Sequence, residues 1–436
     1  MNIKVANNVV SRNRDVGALL HNTKLDIRVT LNDVASDIWK YVKTKETSTL
    51  EEIVCYIKNE YSIDEFVDVR SDIVDIIKYL HEYGFIDING ESKSTVHSMD
   101  RLLTKKSGSL KYDAEHQLED VTLEVTYSCN ERCVHCYVDN SDKQRSILSL
   151  EEYKAMFVDM VNTGILYMSF TGGDPFVRKD FIDIYQYAAL LGFAIDIYTN
   201  GLLIGEKELN ILSQYRPRRV YISVYSLDDI HDSITGINGS LKKTINTIEK
   251  LIGINVKVIL NVPVMALNMH SIIKIIDWAN EKQIDYKVSF QTTPKSNGDM
   301  STVSLQCFDD IAIKSILEKI NYVPDEEPHA RDYICGAGLR SLTINPFGDV
   351  RPCVGLSIKV GSILESKIDD IWSNSINLEE IRNATWDSSC DCRECSAKKY
   401  CNHCMGVSHF ETGNIRSKNT TDCYLAKLKE SYCSQI

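Results

Sequence analysis

At 436 residues the chain is too long for one ordinary hydrophobic core, and its 43% hydrophobic content can fill two or three. A formal net charge of -12 argues against a phosphate-tracking surface, because nucleic-acid binders carry a basic face, and no run of about 18 apolar residues is present to cross a membrane. Fourteen cysteines in a long chain without a signal-peptide pattern are expected to stay reduced, in a cytoplasmic protein, and reduced, clustered thiols point to metal.

Residues 1–92 read as a domain of their own. Asn32 caps an expected helix with Val34, Ile38 and Val42 on one face. Thr49 and Glu52 form a capping box for a second, carrying Leu50, Ile53, Val54 and Ile57. A third carries Val69, Ile73, Ile76, Ile77 and Leu80, stops near Gly84, and leads into a short strand from Phe85 to Ile88. Trp39 and Cys55 are expected in the core. Three short helices with flanking strands suggest a winged helix. The stretch V-T-L-N-D-V-A-S-D-I-W, with the later Y-G-F-I-D-I, resembles the PqqD-type domain known as a RiPP recognition element. That resemblance implies capture of a precursor's leader peptide by strand addition at a sheet edge. Residues 93–118, with S-K-S and K-K-S-G-S, read as a linker.

From Val121 strands alternate with helices. V-T-L-E-V-T is followed by a helix boxed by Ser149 and Glu152. L-Y-M-S-F, F-A-I-D-I-Y, V-Y-I-S-V, V-K-V-I-L-N-V and Y-K-V-S-F then recur through residue 290. Six such strands imply parallel βα units over residues 119–305, with ligand-binding loops at the carboxyl ends of the strands.

The loop after the first of these strands reads C-N-E-R-C-V-H-C-Y, placing Cys129, Cys133 and Cys136 together. Three thiolates on a four-iron cluster leave one iron open to a small molecule. A zinc site is the competing reading; it needs a fourth ligand, and His135 would crowd the same site. The C-x3-C-x2-C triplet resembles that of the radical S-adenosylmethionine (SAM) enzymes, from Val121 to about Gln291. The resemblance implies a partial (β/α)6 TIM-type barrel, a SAM-binding [4Fe-4S] cluster, and hydrogen-atom abstraction by a 5′-deoxyadenosyl radical. T-G-G-D-P then resembles the family's GGE-P motif, with Asp174 in place of Glu, so Gly172, Gly173, Asp174 and Pro175 are implied to meet the methionine amino group; a plain turn is the competing reading. T-N-G at 199–201 and S-V-Y-S at 223–226 make Asn200 and Ser223 candidate cofactor contacts or turn formers. Tyr225 departs from the family's usual Asp there, while His135 and Tyr137 resemble adenine-flanking positions.

Residues 306–334 bridge to a last region, 335–436, in which Cys335, Cys353, Cys392, Cys395, Cys401, Cys404 and Cys423 follow the order of a SPASM domain, though the last internal spacing is C-x2-C rather than C-x3-C. A zinc ribbon is the competing reading. The resemblance implies one auxiliary cluster on Cys335, Cys353 and Cys404 and another on Cys392, Cys395, Cys401 and Cys423, making three [4Fe-4S] clusters in all. The first set is one ligand short, and Cys390, a substrate thiol or solvent are the candidates to complete it. Cys55, Cys307 and Cys433 match no motif. Asp174, Tyr225 and Asp299 are candidate proton acceptors.

Together the three parts resemble maturases of ribosomally made peptides of the sactipeptide, ranthipeptide and streptide types. The expected activity is an intramolecular thioether from a peptide cysteine, with a carbon–carbon crosslink as the alternative. It requires SAM, an external one-electron reductant and a precursor peptide, and neither nucleic acid nor membrane.

Overall fold

A computed structural model describes residues 1–13, 17–64, 66–92, 116–139, 145–389 and 391–435. The chain divides into two compact units. The first contains the described residues up to 92 with the short pieces Val161–Leu166 and Gly192–Ala194, and the second holds the remainder.

In the first unit, β1 (Asn2–Val5) lies between β5 (Ser48–Thr49) and β6 (Ile86–Ile88), antiparallel to both. Strands β2 (Val9–Asn13), β3 (Ala18–Asn22) and β4 (Ile27–Leu31) form an antiparallel meander with β2 and β4 at its edges. Three helices, α1 (Asp33–Lys43), α2 (Leu50–Glu60) and α3 (Arg70–Glu82), complete a winged-helix arrangement. Asn32 accepts from Ala35 N, and Thr49 and Glu52 make the reciprocal capping box. Gly84, at φ +71°, ends α3 as the sequence indicated.

Two expectations fail here. The buried stripe of α1 is Ala35, Ile38, Trp39 and Val42, so Val34 falls on the flank and is exposed. Cys55 is also exposed, because α2 turns Leu50, Ile53 and Ile57 inward.

The second unit is built on one nine-stranded sheet. Six of its strands, β7 (Asp120–Thr126), β8 (Tyr167–Gly172), β9 (Ala194–Thr199), β10 (Arg219–Ser223), β11 (Val258–Pro263) and β12 (Asp285–Ser289), stand side by side in chain order, as in a partial (β/α)6 barrel. They are separated by α4 (Leu150–Asn162), α5 (Phe181–Leu190), α6 (Glu206–Gln214), the pair α7 (Asp229–Thr235) and α8 (Ser240–Gly253), and α9 (Ile272–Lys282). Ser149 and Glu152 box the start of α4.

After α10 (Asp310–Lys319), β13 (Ser341–Ile344) joins the other edge of β7 in parallel. The strands β14 (Asp349–Arg351) and β15 (Gly361–Ser362) extend the sheet antiparallel. Four helices follow: α11 (Ile368–Asn374), α12 (Ile376–Arg382), α13 (Met405–Thr412) and α14 (Thr420–Cys433). The cysteine-rich last region therefore continues the sheet that begins the barrel. Of the expected linker, residues 93–115 lie outside the described residues, whereas His116 is docked, its carbonyl accepting from Trp372 Nε1 at 2.8 Å. Among the described residues no helix is long and apolar enough to cross a membrane.

Candidate functional site

The cysteine loop starts where β7 ends. Its middle is pinned to the end of α7, with Arg132 N donating to Thr235 O at 2.9 Å and Val134 N to Ile234 O at 3.1 Å. Cys136 N closes a turn on Cys133 O at 3.1 Å. The three thiols lie near enough to affect one another's charge. Burial pushes Cys129 up to about 11 and raises Cys133 and Cys136 as well. The thiols are thus protonated until a metal displaces the protons. Among the described residues no three His, Cys, Asp or Glu side chains converge on a point that one metal ion would fill. A soft, three-sulfur donor set in one loop, with no fourth protein ligand among its neighbours in sequence but His135, suits a multi-iron cluster with one open iron.

The glycines of T-G-G-D-P are required by close backbone approach. Gly172 sits at φ +124°, and a Cβ on it would lie 2.2 Å from Thr126 O; one on Gly173 would lie 2.1 Å from Ser128 O. Gly173 N and Asp174 N donate to those same carbonyls, at 2.7 and 3.0 Å, so the motif buttresses the base of the cysteine loop. Asp174 is fully buried, and its carboxylate accepts from Phe176 N at 3.0 Å, Thr199 Oγ1 at 2.7 Å and Asn200 N at 2.9 Å. Pro175 opens the turn Asp174 caps. Asn200, oriented by this contact, donates to Asn130 Oδ1 at 2.9 Å and approaches Cys129 Sγ at 3.8 Å.

On the other flank, Tyr225 packs edge-on against His135 with centroids 4.8 Å apart, and its hydroxyl lies 3.8 Å from Cys133 Sγ. The side chains of Ser223 and Tyr225 are hydrogen-bonded. His135 is held neutral by burial, at about 4, and its Nδ1 is buried without a protein partner, leaving one polar atom beside the loop for a bound group. Tyr137 places its hydroxyl on Glu124. Of the three candidate proton acceptors only Tyr225 touches a cysteine of the loop. Asp174 is filled by its donors, and Asp299 is solvated and paired with Lys295 Nζ at 2.7 Å.

Seven of the remaining thiols form two groups. Cys335, Cys353 and Cys404 act on one another, with burial pushing Cys353 and Cys404 up to about 12. Cys392, Cys395, Cys401 and Cys423 form the second mutually interacting group. Backbone contact explains the first. A Cβ on Gly406, two residues after Cys404, would lie 1.9 Å from Gly355 O, two residues after Cys353, so the glycine at 406 lets these segments touch. A cavity of about 330 Å³ opens beside both groups, with Cys335, Cys401, Cys404, His403 and Gln291 in its wall. Cys390 lies outside the described residues. Cys307 is buried against Met269 Sδ at 3.5 Å, away from either group.

Sequence reasoning missed Glu124, Glu131 and Asp422, all buried. Glu124 did leave a signal, as a charge between Leu123 and Val125 in the strand that leads into the cysteine loop. Glu131, pushed to about 7 by burial, accepts from Cys133 Sγ at 3.3 Å.

Sequence profiles of three families match the chain: the radical SAM superfamily over residues 123–279, the SPASM iron-sulfur cluster-binding domain over 335–405, and coenzyme PQQ synthesis protein D over 18–86. The antilisterial bacteriocin subtilosin biosynthesis protein AlbA of Bacillus subtilis is 26% identical over 325 residues, covering 71% of each chain. The sporulation killing factor maturation protein SkfB of the same organism is 24% identical over 58% of this chain and 64% of its own. Streptococcus suis SuiB, solved bound to its precursor peptide SuiA, superposes with a TM-score of 0.65 over 96% of this chain and 99% of that one, at 15% identity.

Proposed function

Because the chain is a radical SAM/SPASM protein with an N-terminal PqqD-like RiPP recognition element, a maturase combination, we propose that it joins a cysteine sulfur of a ribosomally made precursor peptide to a carbon of another residue in that peptide. The observation that carries the reading is the separation of ten thiols into one three-cysteine set at the mouth of a parallel barrel and two further sets beside it, on a chain that also holds a peptide-recognition fold. Two relatives named for bacteriocin biosynthesis and killing-factor maturation, and a neighbour solved with its precursor peptide, support a peptide substrate.

Cys129, Cys133 and Cys136 would hold a [4Fe-4S] cluster whose open iron takes SAM, and when reduced this pair supplies a carbon-centred radical that removes a hydrogen atom. The chain's own residues shape the site. Asp174 and the glycines before it fix the base of the loop, Asn200 steadies its Cys129 end, and His135 with Tyr225 and Ser223 walls its Cys133 end. Glu131, at 3.3 Å from Cys133 Sγ, is the carboxylate placed to accept a proton near the loop, and Tyr225, whose hydroxyl burial keeps protonated, stands beside it as a wall. Thioether formation removes two hydrogens from the peptide, one as an atom and one as a proton, and leaves one electron. Cys335, Cys353 and Cys404, and Cys392, Cys395, Cys401 and Cys423, would hold two auxiliary clusters as acceptors, three clusters in total. Cys390, the substrate thiol or solvent would complete the first auxiliary set. A leader peptide would add as a strand to a sheet edge of the first unit, and an external one-electron donor would reduce the cluster.

The test is anaerobic co-expression with the candidate precursor, followed by mass measurement before and after thiol alkylation. Loss of two hydrogens together with one alkylatable cysteine is expected. The same mass loss with every thiol free points instead to the second reading, a carbon–carbon crosslink, which uses the same domain order. An unchanged peptide beside intact clusters counts against both.

A further inference from the structure

Glu124 is a charge where the barrel has little reason to hold one. Along β7 it is fully buried, and the pairing of β7 with β8 slips by a bulge between Glu124 and Thr126. A bulge re-aims side chains, and here the freed carbonyl of Val125 is taken by Arg178 Nη1 at 3.1 Å. The re-aimed carboxylate accepts from two phenols, Tyr137 at 2.8 Å on Oε1 and Tyr127 at 3.0 Å on Oε2. Tyr127 in turn packs edge-on against Phe347, in the turn between β13 and β14, with ring centroids 5.6 Å apart, and the charge of Arg351 at the end of β14 acts on both Glu124 and Tyr127, its Nη1 buried with no partner. Desolvation holds the Glu124 carboxyl above its ordinary range, so the burial is unfavourable for the charge. An apolar residue would fill the same space without that cost.

What the carboxylate does is hold its own strand to the cysteine loop directly and to the β13–β14 hairpin through Tyr127. Tyr137 directly follows Cys136 of the barrel loop, Arg351 stands two residues before Cys353 of the first auxiliary set, and Glu124 itself belongs to the strand that leads into the loop. We propose that Glu124 is a positioning residue that fixes the Cys136 end of the barrel loop against the Cys353 hairpin, so that the barrel thiol set and the first auxiliary set keep one relative placement. The proposal rests on the reading that both sets hold clusters. Glu124 acts through Tyr137, Tyr127 and Arg351 and touches no reacting atom.

The test uses the full chain, reconstituted with iron and sulfide without oxygen, as wild type and as Glu124→Gln, Glu124→Ala and Tyr137→Phe. Glutamine keeps the volume and can accept from one phenol while donating to the other, but offers Arg351 no charge. Phenylalanine at 137 removes only the link to the loop. Iron content, Tm and the microwave half-saturation power of the reduced barrel-set EPR signal are read for each. Half-saturation power responds to the placement of neighbouring paramagnetic centres, which a general loss of fold would not shift selectively. Expected are wild-type iron and Tm in Glu124→Gln and Tyr137→Phe with a shifted half-saturation power. The ratio of 5′-deoxyadenosine released to peptide modified should also rise on the order of 10-fold, since misplacement near 1 Å costs up to about 100-fold in rate.

Unchanged half-saturation power in these two variants overturns the proposal. So does equal loss of iron from all sets with a lowered Tm in every variant, because Glu124 would then be plain fold support. A wild-type chain that holds iron at both sets but gives no SAM-dependent product sinks the functional reading alone, since the EPR comparison needs neither SAM nor peptide.

Discussion

The side-chain amide of Gln291, just past the last barrel strand, donates to the carboxylate of Asp422 at 2.5 Å. The other oxygen of Asp422 accepts from Cys404 N at 2.7 Å and Asn419 Nδ2 at 2.6 Å, and the next residue is Cys423. One buried carboxylate thus ties the barrel exit to a member of each auxiliary thiol group. Asp422→Ala would leave Gln291 and Cys404 N unpaired, at about 1–3 kcal/mol for each buried group. Denaturant titration should register that loss, and iron analysis should show auxiliary iron falling while iron on the Cys129 set stays. Asp422→Asn, which keeps one acceptor, should recover part of both.

Gly173→Ala places a methyl group 2.1 Å from Ser128 O, and neither backbone can move without shifting the cysteine loop. Loss of the barrel-set EPR signal is expected, with auxiliary iron retained. Gly253→Ala, at the end of α8 with nothing within 4 Å of the new methyl, is the control and should be neutral or stabilise by about 0.4–1 kcal/mol.

If the two auxiliary groups are separate centres, losses within a group should not add. Cys353→Ala and Cys404→Ala combined should lose no more iron than either alone, whereas Cys353→Ala with Cys395→Ala should lose the sum. Cys307→Ala should leave iron content unchanged.

His231 supplies the pH dependence. It is 1% exposed, its Nδ1 accepts from Tyr225 N at 3.3 Å, and burial lowers it to about 4. The folded state resists the proton, so the neutral ring favours folding fully above the unfolded value near 6.5, and that advantage is lost as pH falls through 6.5 toward 4. Urea titrations should find about 2 kcal/mol less stability at pH 5 than at pH 7.5 from this group, and His231→Gln should remove that share of the slope while the share of the similarly buried His135 stays.

Elements with their own local signals were legible in the sequence. The six barrel strands, the boxes at Thr49 and Ser149 and the stop at Gly84 each depend on a few adjacent residues. The meander β2–β4 was not read, although β4 alternates buried Ile27, Val29 and Leu31 with exposed Arg28 and Thr30, because β3 is buried on both faces and hides the period. Around the site, the cysteine triplet and the glycine pair are contiguous motifs. The roles of Glu124 and Asp422 are fixed by partners distant in the chain, Arg351 and Gln291, which no local pattern connects. The bond from the Tyr137 hydroxyl to Glu124 was not legible for the same reason, since its acceptor lies on the preceding strand.

The parallel pairing of β13 with β7 sets the order in which this chain can mature. Asp120 faces Ser341 across that edge, so the outer side of the first barrel strand stays unpaired until the segment Ser341–Ile344 has left the ribosome. Contacts of such long sequence separation form late, and a bare strand edge is a template for association. Premature termination after the sixth strand would leave that edge open for good, and the truncated product is expected to collect in the insoluble fraction rather than persist as a barrel without its metal-binding tail.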